Sequence, residues 1–147
     1  MGITMAGIKY KFKNIEEKQF ACFPDNFKEE SDTNGNAKLE FSANIERSEV
    51  KCRCKIELKQ EDTLLLVTEI ECTFALTKES WEDIGNNQYK LPVDFMRHLV
   101  SLVIGTERGI IFAKTDNTPL SKIILPSINL KSIVKDDLIV EQKTGKE

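Results

Sequence analysis

Residues 91–134 read LPVDFMRHLVSLVIGTERGIIFAKTDNTPLSKIILPSINLKSIV, and the rest of the chain is arranged around them. Leu91-Pro92 cannot continue a helix backward and Asp94 is a good N-cap, so a helix is expected over Asp94–Thr115. The turn-forming cluster Thr115-Asp116-Asn117 and then Pro119 stop it. Its apolar residues cover more than one stripe of a cylinder that turns about 100° per residue. Leu99, Val103 and Ile110 mark one face, while Met96, Val100 and Ile104 mark another. One face can lie on the chain's own sheet. The other calls for a second molecule, so a homo-oligomer is expected with Met96, Val100 and Ile104 at the contact. Gly105 and Gly109, four apart, leave a shallow groove where another backbone can come close.

Upstream of the helix the period changes from 3.6 to 2. Ile8, Tyr10 and Phe12 alternate with lysines, Asn14–Glu17 breaks the alternation as a bulge would, and Phe20, Cys22 and Phe23 resume it. A polar loop, Pro24–Asn36, carries one aromatic, Phe27. Three alternating runs follow, Ala37–Glu46, Val50–Lys59 and Leu64–Leu76, joined by short turns at Arg47-Ser48 and Gln60-Glu61-Asp62. Short connections between such runs mean an antiparallel meander. Strands first and helices after mean an α+β fold with the helices on one face.

Composition excludes several classes. The 147 residues are 40% apolar and 31% charged, which fits one globular domain with a core. A net charge of −3 does not suit nucleic acid. Arg97, His98, Glu107 and Arg108 interrupt the longest apolar stretch, so no membrane insertion is expected. The N-terminus has no apolar signal region, and Ala6 rules out a myristoylation motif at Gly2. Cys22, Cys52, Cys54 and Cys72 all sit in strand-like runs without the spacing of a metal site, and are expected as buried apolar residues with no metal or cofactor. The one histidine, His98, lies mid-helix with Ser101 nearby, and no strand-turn-helix elbow or glycine-rich loop supports catalysis. Gly105–Gly109 lacks the GK[ST] ending of a phosphate loop. Not an enzyme is the expectation.

A long helix, a turn with Thr and Pro, then Leu125-Pro126-Ser127-Ile128-Asn129-Leu130 opening a last helix resembles the C-terminal half of the SecB family of export chaperones. The family's Pro, β-branched residue, Asn and apolar residue are present with one inserted Ser. The order of strands before them extends the resemblance over about Ile8–Val140, mostly through topology. It implies one domain, 1–147, with a four-stranded antiparallel sheet, a long helix and a short C-terminal helix packed on one face, and a polar tail from Glu141 to Glu147.

The same resemblance implies a cytoplasmic, ATP-independent holding chaperone for unfolded or preprotein chains in protein export, assembled as a homotetramer. Its client groove would use Phe23, Phe27, Phe74, Leu76, Trp81, Leu130, Ile133 and Val134. Glu69 and Glu71, side by side on one strand face, would form an acidic surface for the secretion motor ATPase. The tail VEQKTGKE is neither acidic nor apolar, a departure from the tails that such partners recognise. Two other readings stand beside this one: a protein of the same fold dedicated to a single client such as an antitoxin, and a carrier of a small ligand in a closed pocket.

Overall fold

A computed structural model describes residues 3–5, 7–123, 125 and 129–142. Five strands make the main antiparallel sheet: β1 (Ile3–Met5), β2 (Ile8–Cys22), β3 (Asn34–Asn44), β4 (Glu49–Gln60) and β5 (Thr63–Leu76), in the order β1-β2-β5-β4-β3. The expected four are β2 to β5. The count of four is corrected to five because Ile3–Met5 folds back on Ile8–Tyr10, a tight return that Gly7 permits with φ +77°. The bulge read around Asn14 is real, and a second follows. The register of β2 on β5 slips at Lys13 and again at Lys18.

A second antiparallel sheet escaped the sequence reading. It comprises β6 (Glu82–Gly85), β7 (Gln88–Leu91) and β8 (Leu138–Glu141), in that order. Asn86 and Asn87 turn the β6–β7 hairpin with φ of 55° and 59°, the pair of positive values a type I′ turn needs. Glu141, expected in the polar tail, is paired with Gln88.

Helix α1 (Val93–Lys114) lies over β4 and β5. Asp94 is not its N-cap. Pro92 occupies that position, and the Val93 N–H donates instead to Asp137 Oδ1 at 2.8 Å. At the other end the Thr115 hydroxyl donates to the Ile111 carbonyl at 2.8 Å. Pro119 opens a 3-10 turn, Pro119–Lys122, rather than a helix. The C-terminal helix α2 (Leu130–Ile133) has only four residues, capped by the Asn129 side chain on the Lys131 N–H at 3.1 Å. Pro126-Ser127-Ile128 lies outside the described residues.

The core forms where α1 meets the sheet. Val50, Cys52, Cys54, Ile56 and Leu58 of β4 face Phe74, Cys72, Ile70, Thr68 and Leu66 of β5 in register, and all are buried. From the helix come Phe95, Met96, Leu99, Val100, Val103, Ile104 and Ile111. This overturns the assignment of Met96, Val100 and Ile104 to an oligomer contact. The sheet, with the chain that follows α1, wraps enough of the helix to bury both apolar faces in one protomer.

Candidate functional site

Two contacts set α1 alongside β2. Near the start of the helix, His98 Nε2 lies 2.5 Å from the Tyr10 hydroxyl, the rings edge to face. Near its end, Lys114 bonds to Glu17 and stands 4.6 Å above the Phe20 ring. From His98 to Lys114 a helix advances about 24 Å. From Tyr10 to Phe20 a strand shortened by two bulges advances about 26 Å. The two elements therefore run side by side in one direction.

Between them is a trough. Register places Phe12, Ile15, Glu17, Phe20 and Cys22 opposite Phe74, Cys72, Ile70, Thr68 and Leu66, and so on the helix-facing side of the sheet. Phe12, Phe20 and Cys22 are half-buried, while Ile15 is 48% exposed. The rim continues at one end through Phe23, 42% exposed, and the half-buried Phe27. The segment bearing these two is held in place from below. Buried Gln60 accepts from the Lys28 N–H at 2.9 Å and donates to the Lys28 carbonyl at 2.7 Å, and Glu29 pairs with Lys122 at 2.7 Å. Above the trough, the outward side of α1 presents Ser101, Gly105, Gly109 and Phe112, the last 73% exposed. A Cβ built on either glycine would meet nothing within 4 Å.

The residues expected to line a groove do not gather in one. Phe23 and Phe27 lie at the trough, and Leu130 and Ile133 are half-buried on α2. Phe74, Leu76, Trp81 and Val134 are corrected to core, all buried. Phe74 packs between Tyr10 and Phe12. Trp81 buries its ring and donates from Nε1 to Ser48 Oγ at 2.9 Å. Phe23 is bonded to Leu65 at the start of β5, whereas Trp81 follows its end, so the two are about 35 Å apart along the sheet. Ile15 was missed as a lining residue because the bulge at Lys13 moves it onto the side of Phe12, and the bulge at Lys18 returns Phe20 to that same side.

Glu69 and Glu71 do lie side by side on the outer face of the sheet. They are not a uniformly acidic surface. Arg53 reaches Glu71 at 3.3 Å and Glu69 at 3.9 Å, Lys18 reaches Glu71 at 3.9 Å, and Lys55 is directly opposite Glu69. Alternating signs on opposed strands pair off across a sheet face.

Beneath α1 the core holds the carboxyl group of Glu107. Glu107 is fully buried against β4, and neither carboxylate oxygen has a hydrogen-bond partner. The nearby Cys54 thiol acts on it only weakly, because S–H is a poor donor and falls outside ordinary hydrogen-bond geometry here. Burial pushes the Glu107 carboxyl up to about 8. The same burial pushes the Cys52 and Cys72 thiols up to about 12, and Cys54 higher still. Thiols that hold their protons this firmly are poor nucleophiles and poor metal ligands. Among the described residues, no group of three His, Cys, Asp or Glu side chains could hold a metal ion. Ser101 Oγ donates to the His98 carbonyl at 2.6 Å, not to its ring, so the two form no nucleophile–base pair. Among the described residues, no helix is long and apolar enough to cross a membrane.

No family model matches the sequence. Nor does any curated protein. Among solved structures, the fold is similar to the Mycobacterium tuberculosis Rv1957 SecB-like chaperone in complex with a ChAD peptide from the Rv1956 HigA1 antitoxin, at 12% identity and a TM-score of 0.50, covering 80% of this chain and 88% of that one. The chain thus has a SecB-like fold, with a five-stranded sheet in place of the expected four.

Proposed function

We propose that this protein is an ATP-independent holding chaperone of the SecB type, a binding protein rather than an enzyme, that takes up extended apolar segments of unfolded polypeptide. The observation that carries the reading is the trough between α1 and β2, where Ile15 stands 48% exposed in a row with Phe12 and Phe20. From Phe12 to Cys22 that row offers room for an extended segment of about eight residues. An unfolded chain presents apolar side chains to such a row, weakly at each point and strongly in sum. The Glu17–Lys114 pair that crosses the trough opens to admit the segment, which frees a polar group on each wall for the segment's backbone. A peptide-bound neighbour of the same fold supports the same use here.

The finer parts of the reading follow. The protein works in the cytoplasm without cofactor, in export or targeting, and a docking partner such as the secretion motor ATPase would have to use a surface other than the neutralised Glu69–Glu71 face. It assembles as a dimer of dimers, with the outward side of α1 rather than Met96, Val100 and Ile104 making one contact. The open surfaces of Gly105 and Gly109 support that placement. A dedicated client is the second reading, favoured by the antitoxin-derived peptide on the neighbour. Titrating the protein with a panel of unrelated unfolded chains tests both. Similar affinity for many supports a general holder, one tight binder among weak ones supports a dedicated one, and binding to none contradicts the proposal.

A further inference from the structure

The outer face of the main sheet, the side away from α1, is divided by charge. Register sets its residues in rows across β2, β5, β4 and β3. Nearest the β3–β4 turn the rows are Lys11–Ala75–Glu49–Asn44 and Asn14–Thr73–Lys51–Ser42. The next two are Glu16–Glu71–Arg53–Glu40 and Gln19–Glu69–Lys55–Lys38. With Lys18 at the second bulge, acids and bases balance in this second pair of rows, and opposite signs neutralise each other. The first pair does not balance. Lys9 precedes it on the same side of β2, Lys13 stands between its rows at the first bulge, and Arg47 lies in the turn at its end. Beyond that border the turns carry Glu46, Lys78 and Glu79.

Lys9, Lys11, Lys13, Arg47 and Lys51 thus surround one carboxylate, and that carboxylate is already taken. Lys13 reaches across β5 to bond the buried Glu49. That bond, with the charges of Lys13, Arg47 and Lys51, holds the Glu49 carboxyl below the usual range although burial pushes it up. Lys9, Lys11, Arg47 and Lys51 are exposed and make no ion pair among the described residues. Beside Glu49 a hollow of about 170 Å³ opens between Arg47 and Lys51, with Ser42 and Asn44 on its wall. Asn44 Oδ1 accepts from the Arg47 N–H at 3.0 Å, so the Asn44 amide is left to donate. The hollow is several times the share of a water molecule and has room for one carboxylate.

The layout selects the ligand. Lys9 and Lys11 are about 7 Å apart along β2, the spacing of alternate side chains in an extended segment. The basic area runs about 14 Å along β2 and about 10 Å across to β4, the footprint of about five extended residues. An anionic bilayer or a nucleic acid duplex fits worse, because either would also press on Glu16, Glu69 and Glu71 in the neighbouring rows. We propose that this basic end of the outer face docks an extended acidic segment of a partner polypeptide, with one carboxylate seated between Arg47 and Lys51 and others on Lys9 and Lys11. The trough is on the opposite face of the sheet, so a docked partner leaves it open. The docking therefore stands or falls apart from the chaperone reading.

The experiment follows the anisotropy of a labelled peptide of about seven residues, glutamate and glycine alternating, titrated with the full chain at low salt. Saturable binding that weakens as salt is added is expected, and no binding of the same peptide with glutamine in place of glutamate. Lys11→Gln/Lys51→Gln should weaken binding about tenfold. Lys38→Gln/Lys59→Gln removes the same charge from the far end of the same face and should change it by less than about twofold. All four lysines are exposed, so both double variants should melt with the wild type. Ile15→Ser, on the opposite face, should bind the peptide as the wild type does. The proposal is overturned if the acidic peptide does not bind, if both double variants lose binding equally, or if Ile15→Ser loses it. Tighter binding to vesicles of phosphatidylserine and phosphatidylcholine than to the peptide would also overturn it.

Discussion

The Tyr10 hydroxyl and Nε2 of His98 lie 2.5 Å apart, linking the start of β2 to the first turns of α1. Tyr10 is buried and touches Phe74 and Phe95 edge to face, so its hydroxyl depends on His98 for a partner. Tyr10→Phe leaves the ring contacts and removes one part-buried hydrogen bond. A loss of about 1 kcal/mol in urea unfolding is expected. An unchanged midpoint would mean the contact does not hold the helix to the strand.

Trp81 and Ile15 should behave oppositely. Replacing Trp81 with Ser empties a core site and leaves Ser48 without its donor, and should cost about 3–5 kcal/mol. Ile15→Ser removes an exposed side chain and should change stability by about 0.5 kcal/mol or less while weakening client capture. Thermal melts read the first effect and client titrations the second. A large stability loss from Ile15→Ser would place that residue in the core and remove it from the trough.

Glu107 gives the folded protein a pH dependence of definite sign. Its carboxyl titrates near 8 in the fold, against an ordinary value of 4.5 when unfolded. Below 4.5 it is protonated in both states. Between 4.5 and 8 only the unfolded chain releases the proton, so stability falls by about 1.4 kcal/mol per pH unit, and above 8 the fall ends. Facing it are Cys52 and Cys54 from β4 and Cys72 from β5, whose raised thiols stay neutral across this window, and the Glu69 charge pushes in the same direction. Glu107→Gln should flatten the slope relative to the wild type, and Glu107→Met should melt higher at pH 8. Parallel stability–pH curves for wild type and Glu107→Gln would contradict this.

The cysteines should be inert in the folded state. Cys52, Cys54 and Cys72 are wholly buried, and Cys22 is half-buried at the end of the trough. A thiol reagent should therefore label one site quickly and three only on unfolding, and a chelator should leave the melting temperature unchanged. Stoichiometric metal in the native protein would overturn that expectation.

Much of the fold was legible because β3, β4, β5 and α1 each carry a long, uninterrupted hydrophobic period. What was lost was local. Ile3–Met5 is too short for periodicity to register, and the Asn86-Asn87 turn signals a hairpin only if a dipeptide of two asparagines is read as a type I′ turn. A hydrophobic period shows how many faces of α1 are apolar but not how far a curled sheet wraps around it. Met96, Val100 and Ile104 went to the core, and the surface left open was the one with Gly105, Gly109 and Phe112. For the trough, the bulge at Lys13 shifted Ile15 onto the helix side and the bulge at Lys18 returned Phe20 to it, and only the paired register reveals this.

On the proposed function, the α1–β2 trough holds unfolded chains without nucleotide. The direct measurement is light scattering from a chemically unfolded client diluted into buffer with the protein and no ATP. Stoichiometric protein should suppress aggregation, and Ile15→Ser combined with Phe23→Ser should lose most of that suppression at an unchanged melting temperature. Aggregation unaffected by the wild type, or suppression that the double variant retains in full, would contradict it.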